Sequence, residues 1–456
     1  MIKFKRNQKI NPALQIVLGF FVLIMVGTFF LCLPISSASG EWTSFVDSLF
    51  TSTSAVCVTG LIVVDTAVYF SLFGQIIILF LIQIGGLGFI TLTSIIFLIF
   101  GKKLSYNNRV TIQESLNKQD VQGVVKLIRN IVILVFAIEF IGFICIAPST
   151  ISLYGWGDGL YKALFLSISA FCNAGFDVMG TTATQFTSLS WFAQNSLLLL
   201  PIMLLIVIGG IGYIVLFDIG AKFGKDKKKM SFHSKIVLIV TTILIFGGAF
   251  LFALFEWNNP NTIGTMNIWD KIVNSFFQSI TPRTAGFATF DMADLSPASR
   301  VLTSFFMLIG GSPVSTAGGI KTITLFVLIV AIFKTSNSKG DIVLRKKQIS
   351  NNIIRKAFKV TFMYLLVMIF ATFLICLCEG NSITVEEIIF EVISALSTVG
   401  ISLGITSSLG VISKIVVVIC MFIGRVGAVT FAVALAGKRK KINEEIEYPD
   451  SRLIVG

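Results

Sequence analysis

Four short segments, each centred on one glycine, recur along this chain at nearly constant spacing. They read Val58-Thr59-Gly60-Leu61, Asn173-Ala174-Gly175-Phe176, Thr284-Ala285-Gly286-Phe287 and Thr398-Val399-Gly400-Ile401. The glycines are 115 (175−60), 111 (286−175) and 114 (400−286) residues apart. Each follows an amphipathic stretch and precedes a hydrophobic run with further glycines at its middle. Repetition at a near-fixed period marks a duplicated structural unit. Four units in one chain predict four-fold packing about a central axis, with backbone lining that axis at the glycines. This is the plan of a cation pore.

Composition says where such a pore would sit. The chain is 55% hydrophobic and 13% charged, with mean hydropathy +0.90. A soluble domain cannot bury that much apolar surface, so the expected class is an all-α polytopic membrane protein. The net charge of +13 suggests nucleic acid at first sight, but the positions of the basic residues argue against it. The seven cysteines (Cys32, Cys57, Cys145, Cys172, Cys376, Cys378, Cys420) fall within or beside apolar runs, without metal-ligand or disulfide spacing. They read as small buried hydrophobes. The basic amino terminus leads into an apolar run with no convincing cleavage site, which predicts a retained first span.

Apolar stretches of roughly 20 residues or more occur at Leu14–Leu33, Phe70–Phe100, Leu127–Ala147, Trp191–Ile219, Ile236–Phe255, Arg300–Phe333, Ala357–Cys378 and Val411–Ala436. These predict eight spans. Within each pair lies a shorter segment, Trp42–Thr59, Gly159–Ala174, Trp269–Ala285 or Thr384–Val399, too short to cross and expected to form a re-entrant helix. The expected divisions are residues 10–100, 101–222, 223–334 and 335–437 for the four pore repeats, with a tail at 438–456. The second division includes a cytoplasmic linker. Of the 36 Lys and Arg, 29 fall in the amino terminus, in 101–130, 221–235 and 334–359, and in the tail. Excess Lys and Arg mark the cytoplasmic side, so both termini and the linkers are expected there. The four glycine segments then share the outer half, as parallel repeats do and inverted repeats do not. Thirteen of the 23 acids lie in outer loops, among them Asp47, Asp65, Asp158, Asp177, Asp291, Asp294 and Glu379. They read either as a field concentrating cations or as ordinary loop polarity.

Dehydrating a monovalent cation takes oxygen ligands at fixed spacing without a strong anionic trap, and backbone carbonyls from four strands provide this. Glycine tolerates φ > 0, which lets successive carbonyls turn toward an axis. The expected ion-binding residues are Val58, Thr59, Gly60, Asn173, Ala174, Gly175, Thr284, Ala285, Gly286, Thr398, Val399 and Gly400. The re-entrant helices would point their negative carboxyl ends at the centre.

A second glycine set repeats in the following spans: Gly85-Gly86-Leu87-Gly88, Gly209-Gly210-Ile211-Gly212, Gly310-Gly311-Ser312-Pro313 and Gly424-Arg425-Val426-Gly427. In the first two units this reads as close helix packing or a bend. In the third, the small polar run Gly310, Gly311, Ser312, Pro313, Val314, Ser315, Thr316, Ala317, Gly318, Gly319 cannot remain helical. It predicts a broken helix and an intramembrane gate loop just below the glycine segments. Arg425 stands at the equivalent place in the fourth unit. A charge there costs ~2.5–3.5 kcal/mol, so it should meet the freed carbonyls of Ser312–Gly318, either for gating or as a static anchor. Lys321, right after the loop, is a weaker case for such a partner, since it could snorkel toward the cytoplasm. Glu139 has no obvious partner and reads as a buried hydrogen-bonded acid, with a proton or sodium role as the alternative.

These residues resemble the Trk/Ktr/HKT superfamily of potassium transporters, specifically its eight-span Ktr-type membrane subunit, over about residues 10–440. The resemblance rests on Ser54-Ala55-Val56-Cys57-Val58-Thr59-Gly60-Leu61, Phe171-Cys172-Asn173-Ala174-Gly175-Phe176, Thr281-Pro282-Arg283-Thr284-Ala285-Gly286-Phe287 and Ser397-Thr398-Val399-Gly400, with the Gly310–Gly319 loop and Gly424-Arg425-Val426-Gly427. It implies potassium at the filter, since some sodium-preferring plant relatives have serine where this chain has Gly60. It implies a homodimer with one pore per protomer, uptake stimulated by sodium, and a cytoplasmic ring of nucleotide-binding regulatory subunits. The two extra leading spans of Trk-type subunits are not expected. The sequence has no glycine-rich nucleotide motif, so nucleotide sensing is assigned to the partner and no cofactor to this chain. The tail ends in Arg452-Leu453-Ile454-Val455-Gly456, an apolar tip that could reach the dimer mate or the ring, or fray.

The nearest rival is a sodium or non-selective cation channel of the same plan, because each unit has one glycine rather than two. A membrane enzyme would need a cluster of His, Cys or carboxylates at mid-membrane, and the single histidine, His233, lies in a basic linker. A scaffold would not need four matched re-entrant segments.

Overall fold

The computed structural model describes residues 12–88, 124–223, 229–334, 342–344 and 347–435. Four helices within them are long and apolar enough to cross a membrane: α1 (Pro12–Cys32), α4 (Val124–Tyr154), α8 (Phe232–Glu256) and α12 (Asn351–Glu379). Their outward faces carry Phe21, Phe29, Phe136, Phe140, Phe250, Phe362 and Phe370, all exposed. An exposed apolar belt of this kind fits hydrocarbon and not water.

Each long helix is followed by a short one: α2 (Phe45–Cys57), α5 (Trp156–Cys172), α9 (Ile268–Ile280) and α13 (Val385–Ser397). These are 13 to 17 residues long, too short to span. Local chemistry sets their starts. Asn267 caps α9 by accepting from the Asp270 N–H, and Thr384 forms a reciprocal capping box with Glu387 on α13, satisfying amides that a first turn leaves free. The third short helix ends at Ile280, so the expected Trp269–Ala285 run is helical only in part. A turn through Thr281-Pro282-Arg283 completes it.

The second member of each pair is α3 (Leu72–Leu87), α6 (Ser196–Ile211) with α7 (Tyr213–Phe223), α10 (Pro297–Leu308) with α11 (Thr322–Phe333), and α14 (Val411–Val426) with α15 (Ala428–Leu435). The break in the third pair is the one expected at Gly310–Gly319, and a bend in the second is one of two expected readings, whereas the break in the fourth corrects an expected continuous span. The chain turns by 100° between α6 and α7 and by 96° between α14 and α15. The breaks fall at Gly212 and Gly427, both at positive φ, and Gly88 ends α3 in the same conformation. The part of the expected Phe70–Phe100 span beyond Gly88 lies outside the described residues, as do most of the 101–130 linker and the 438–456 tail.

A small departure from an all-α fold is the antiparallel pair β1 (Ile342–Leu344) and β2 (Lys347–Ile349). It falls in the basic linker before α12.

Packing closes the four units into a ring. Each short helix packs on its own long helix, and α2, α5 and α13 also pack on the helix that follows them. Each short helix also packs on the preceding unit: α3 against α5, α6 against α9, α10 against α13, and α14 against α2. The last of these joins the end of the chain to its beginning. The centre of the ring is therefore lined by the carboxyl ends of the short helices.

Candidate functional site: a ring of glycine segments

At that centre the backbone does the same thing four times. Val58, Asn173, Thr284 and Thr398, each two residues before its glycine, have φ between 52° and 73°. Such a conformation costs about 1–3 kcal/mol each and persists only where the surroundings enforce it. The glycines follow at φ 92°, 69°, 84° and 94°. Their lack of a side chain is required for a second reason. A Cβ on Gly60 would lie 2.5 Å from the Ala174 carbonyl oxygen, one on Gly175 2.8 Å from that of Ala285, and one on Gly286 2.5 Å from that of Val399. One on Gly400 would collide with the carbonyl of Thr59. Each glycine thus packs on the residue before the next glycine, and the series closes on itself.

The segments are buried, apart from a half-buried Gly400, yet their carbonyls are unused. Among the described residues, none of the twelve carbonyls of Val58–Gly60, Asn173–Gly175, Thr284–Gly286 and Thr398–Gly400 accepts a protein hydrogen bond. Buried carbonyls are nearly always paired, and a ring of carbonyls without protein donors has the chemistry to coordinate a cation. The structure brings together all the expected ion-binding residues.

Four hydroxyls that sequence reasoning missed hold the segments. Ser54 and Ser394 accept the N–H of Gly60 and Gly400, each at 3.1 Å. Ser169 and Thr281 donate to the carbonyls of Phe176 and Phe287, each at 2.6 Å. A signal was present: a Ser or Thr stands five or six residues before every glycine.

On one side the ring opens into a cavity of about 340 Å³ lined by all four glycines and by Asp65, Asp177 and Asp291. Much of the expected acidic field is committed to structure. Asp65 accepts from the N–H groups of Ala67, Val68 and Phe186, Asp47 pairs with Lys414 at 2.9 Å, and Glu379 accepts from the Gly410 N–H. Glu391, buried on α13, accepts from Ser402 and Thr406. Asp177 accepts the Met179 N–H at 3.0 Å and interacts with the Ser188 hydroxyl and Lys162. Burial pushes its carboxyl up to about 6, with Asp65 adding to the shift and the Met179 N–H opposing it.

On the other side lies the Gly310–Gly319 loop, between α10 and α11. Ser312 N–H donates to the Gly210 carbonyl at 2.8 Å, Tyr213 N–H to that of Val314 at 2.9 Å, and the Thr316 hydroxyl to that of Phe171 at 3.3 Å. Gly318 lies so close to Thr398 that a Cβ would strike its hydroxyl. Arg425 donates to the loop carbonyl of Thr316, as expected from sequence. It also donates to the Gly85 carbonyl at the end of α3, which was not expected. Lys321 does not snorkel away: its ammonium turns back onto the carbonyls of Ala317 and Gly318. Loop carbonyls freed from the helix need donors, and that need outweighs the pull of distant water.

The second glycine set has one packing role in three units. A Cβ on Gly85, Gly209 or Gly424 would strike the carbonyl of Val56, Phe171 or Leu396 respectively, in the last turn of the short helix before it. Glu139 does have a partner: Gln83 Nε2 donates to both its oxygens at 3.0 and 3.2 Å, and the Cys172 thiol lies 3.8 Å away.

Residues 7–444 match the sequence profile of TrkH, described as a cation transport protein. The chain belongs to the TrkH family. Its members are ion transport proteins rather than enzymes, and this chain is a multi-pass membrane protein of that kind. It is 37% identical to the potassium/sodium uptake protein NtpJ of Enterococcus hirae, over the full length of both chains. It is 36% identical to the Ktr system potassium uptake protein B of Bacillus subtilis, covering 98% of this chain and 97% of that one. The crystal structure of the potassium transporter TrkH from Vibrio parahaemolyticus superposes with a TM-score of 0.71 at 19% identity, over 94% of this chain and 85% of that one. That likeness establishes the shared fold.

Proposed function

We propose that this TrkH-family chain is the potassium-translocating subunit of a Ktr-type uptake system in a bacterial cell membrane. The observation that carries the reading is the ring of twelve carbonyls that accept no protein hydrogen bond among the described residues, all but that of Gly400 in buried residues. Four-fold carbonyl coordination replaces the hydration shell of potassium at little cost. Val58–Gly60, Asn173–Gly175, Thr284–Gly286 and Thr398–Gly400 form the filter. The Gly310–Gly319 loop, tied down by Arg425 and Lys321, is the gate. In this reading both termini are cytoplasmic, four pore repeats occupy residues 10–100, 101–222, 223–334 and 335–437, and the acid-lined cavity faces outward.

The partners are a second copy of the chain and a cytoplasmic nucleotide-binding ring, with uptake stimulated by sodium. Support comes from the relatives named for the Ktr system and from the basic linkers around residues 222–235 and 334–359. Such linkers suit an acidic protein surface or anionic lipid. The second reading is sodium or mixed conduction, favoured by the potassium/sodium name of the Enterococcus relative.

Uptake of potassium by a potassium-deficient bacterial strain, with and without sodium, decides between them. Growth rescue at low potassium is expected. Sodium uptake that potassium fails to compete away would establish the second reading.

A further inference from the structure

One ring of carbonyls lies beyond the twelve, at the cavity end: those of the residues after each glycine, Leu61, Phe176, Phe287 and Ile401. Their surroundings are unequal. The Ser169 hydroxyl donates to the Phe176 carbonyl and the Thr281 hydroxyl to the Phe287 carbonyl, each at 2.6 Å. The carbonyls of Leu61 and Ile401 accept no hydrogen bond among the described residues. In those two segments the helix hydroxyl is used one residue earlier, where Ser54 and Ser394 accept the glycine N–H. The cavity lining agrees independently. Leu61 and Ile401 line it, whereas Phe176 and Phe287 do not.

We propose that Ser169 and Thr281 are positioning residues that withdraw two carbonyls from the outer end of the filter. An ion entering there meets two carbonyls, from the adjacent first and fourth segments, in place of four. This inference rests on the filter reading above. A cation coordinated by two carbonyls keeps part of its water, because two ligands replace only a fraction of its hydration shell. Full dehydration is deferred to the glycine carbonyls one step inward, where all four segments are free. The arrangement makes the outermost position a weak staging site. Conduction requires that binding be weak enough to leave as well as favourable enough to enter, and a staging site of low affinity meets that condition on the side where ions arrive. The Ser and Thr hydroxyls tune it without touching the ion.

The test compares the double variant Ser169→Ala with Thr281→Val against the hydroxyl-preserving pair Ser169→Thr with Thr281→Ser. The measurement is potassium-concentration dependence of rubidium and potassium uptake in a potassium-deficient strain. With both hydroxyls gone, the Phe176 and Phe287 carbonyls are free to join a four-carbonyl outer site. The KM for potassium is expected to fall about threefold or more, with the maximal rate falling alongside. The hydroxyl-preserving pair should keep wild-type values of both. An unchanged KM and rate in the double variant would overturn the inference. So would a raised KM with lost preference over sodium, because that pattern means the hydroxyls only brace the strands. If the double variant does not reach the membrane, Ser169→Ala alone is measured and a smaller shift in the same direction is expected. Gly175→Ser serves as the control in the same assay. Unchanged selectivity in Gly175→Ser defeats the filter reading itself, whereas a change there with none in the hydroxyl variants defeats only the staging site.

Discussion

Gly400 packs its Cα directly against the carbonyl of Thr59, joining the last glycine segment to the first. That contact, with the matching ones of Gly60, Gly175 and Gly286, leaves no room for a side chain on any of the four glycines. Each glycine is also at a φ where an ordinary residue is strained by roughly 1–2 kcal/mol. Gly60→Ser or Gly400→Ser should therefore displace the neighbouring carbonyl and lower the preference for potassium over sodium at least tenfold. Competition uptake of the two ions measures this, and an unchanged ratio in both variants would refute the assignment.

Gly209 and Gly210 are neighbours with different constraints. A Cβ on Gly209 strikes the Phe171 carbonyl, while one on Gly210 meets only the Asn173 side chain at 3.5 Å, an ordinary contact. Gly210→Ala should keep most of the transport activity and expression. Gly209→Ala should push the helix off the ring and lose about 1–3 kcal/mol of stability, seen as a lower unfolding temperature in detergent.

Arg425 joins the loop to α3 by donating to both Thr316 and Gly85. Its planar fork reaches two carbonyl groups at once, which an ammonium does less well. Arg425→Ala should raise flux into proteoliposomes and remove its dependence on the regulatory partner, with KM for potassium little changed. Arg425→Lys should restore control only in part. Flux that stays low and partner-dependent in Arg425→Ala places the gate elsewhere.

Glu139 ties α4 to α3 through Gln83, directly behind Cys172 and the second glycine segment. Glu139→Leu leaves the Gln83 amide buried without its acceptor, at a cost of about 1–3 kcal/mol. Glu139→Gln retains an acceptor and should be milder. Thermal unfolding of the two variants should rank them in that order, and equal stability would show that the pair carries little.

Asp177 should give uptake a pH step on the cavity side. Its carboxyl, raised by burial to about 6, is charged above that value and attracts cations. As external pH falls through about 6 it becomes neutral, and the attraction is lost. The KM for potassium should therefore rise as the medium is acidified from pH 7 to pH 5. Asp177→Asn should show the higher KM throughout and lack the step. A step of unchanged size in that variant would assign it to another group.

The sequence determined the class of the protein and the location of its central ring. Hydropathy, basic linkers and glycine at a period near 113 residues are properties that each segment carries by itself, so they are legible without neighbours. The Gly310–Pro313 break was legible for the same reason, since backbone chemistry alone excludes a helix there. What only the tertiary structure decided are the pairings between units. Arg425 reaches Gly85 across 340 residues, Gln83 reaches Glu139, and Lys321 turns back onto Ala317. No periodic signal marks these contacts, because a buried polar group takes whichever partner the packing of other helices brings near it. The strain at Val58, Asn173, Thr284 and Thr398 was hidden too: nothing about valine or threonine announces a positive φ, which the surrounding ring imposes. The inequality of the outermost carbonyls arises in the same way, from which atom each Ser or Thr hydroxyl meets once the helices have docked.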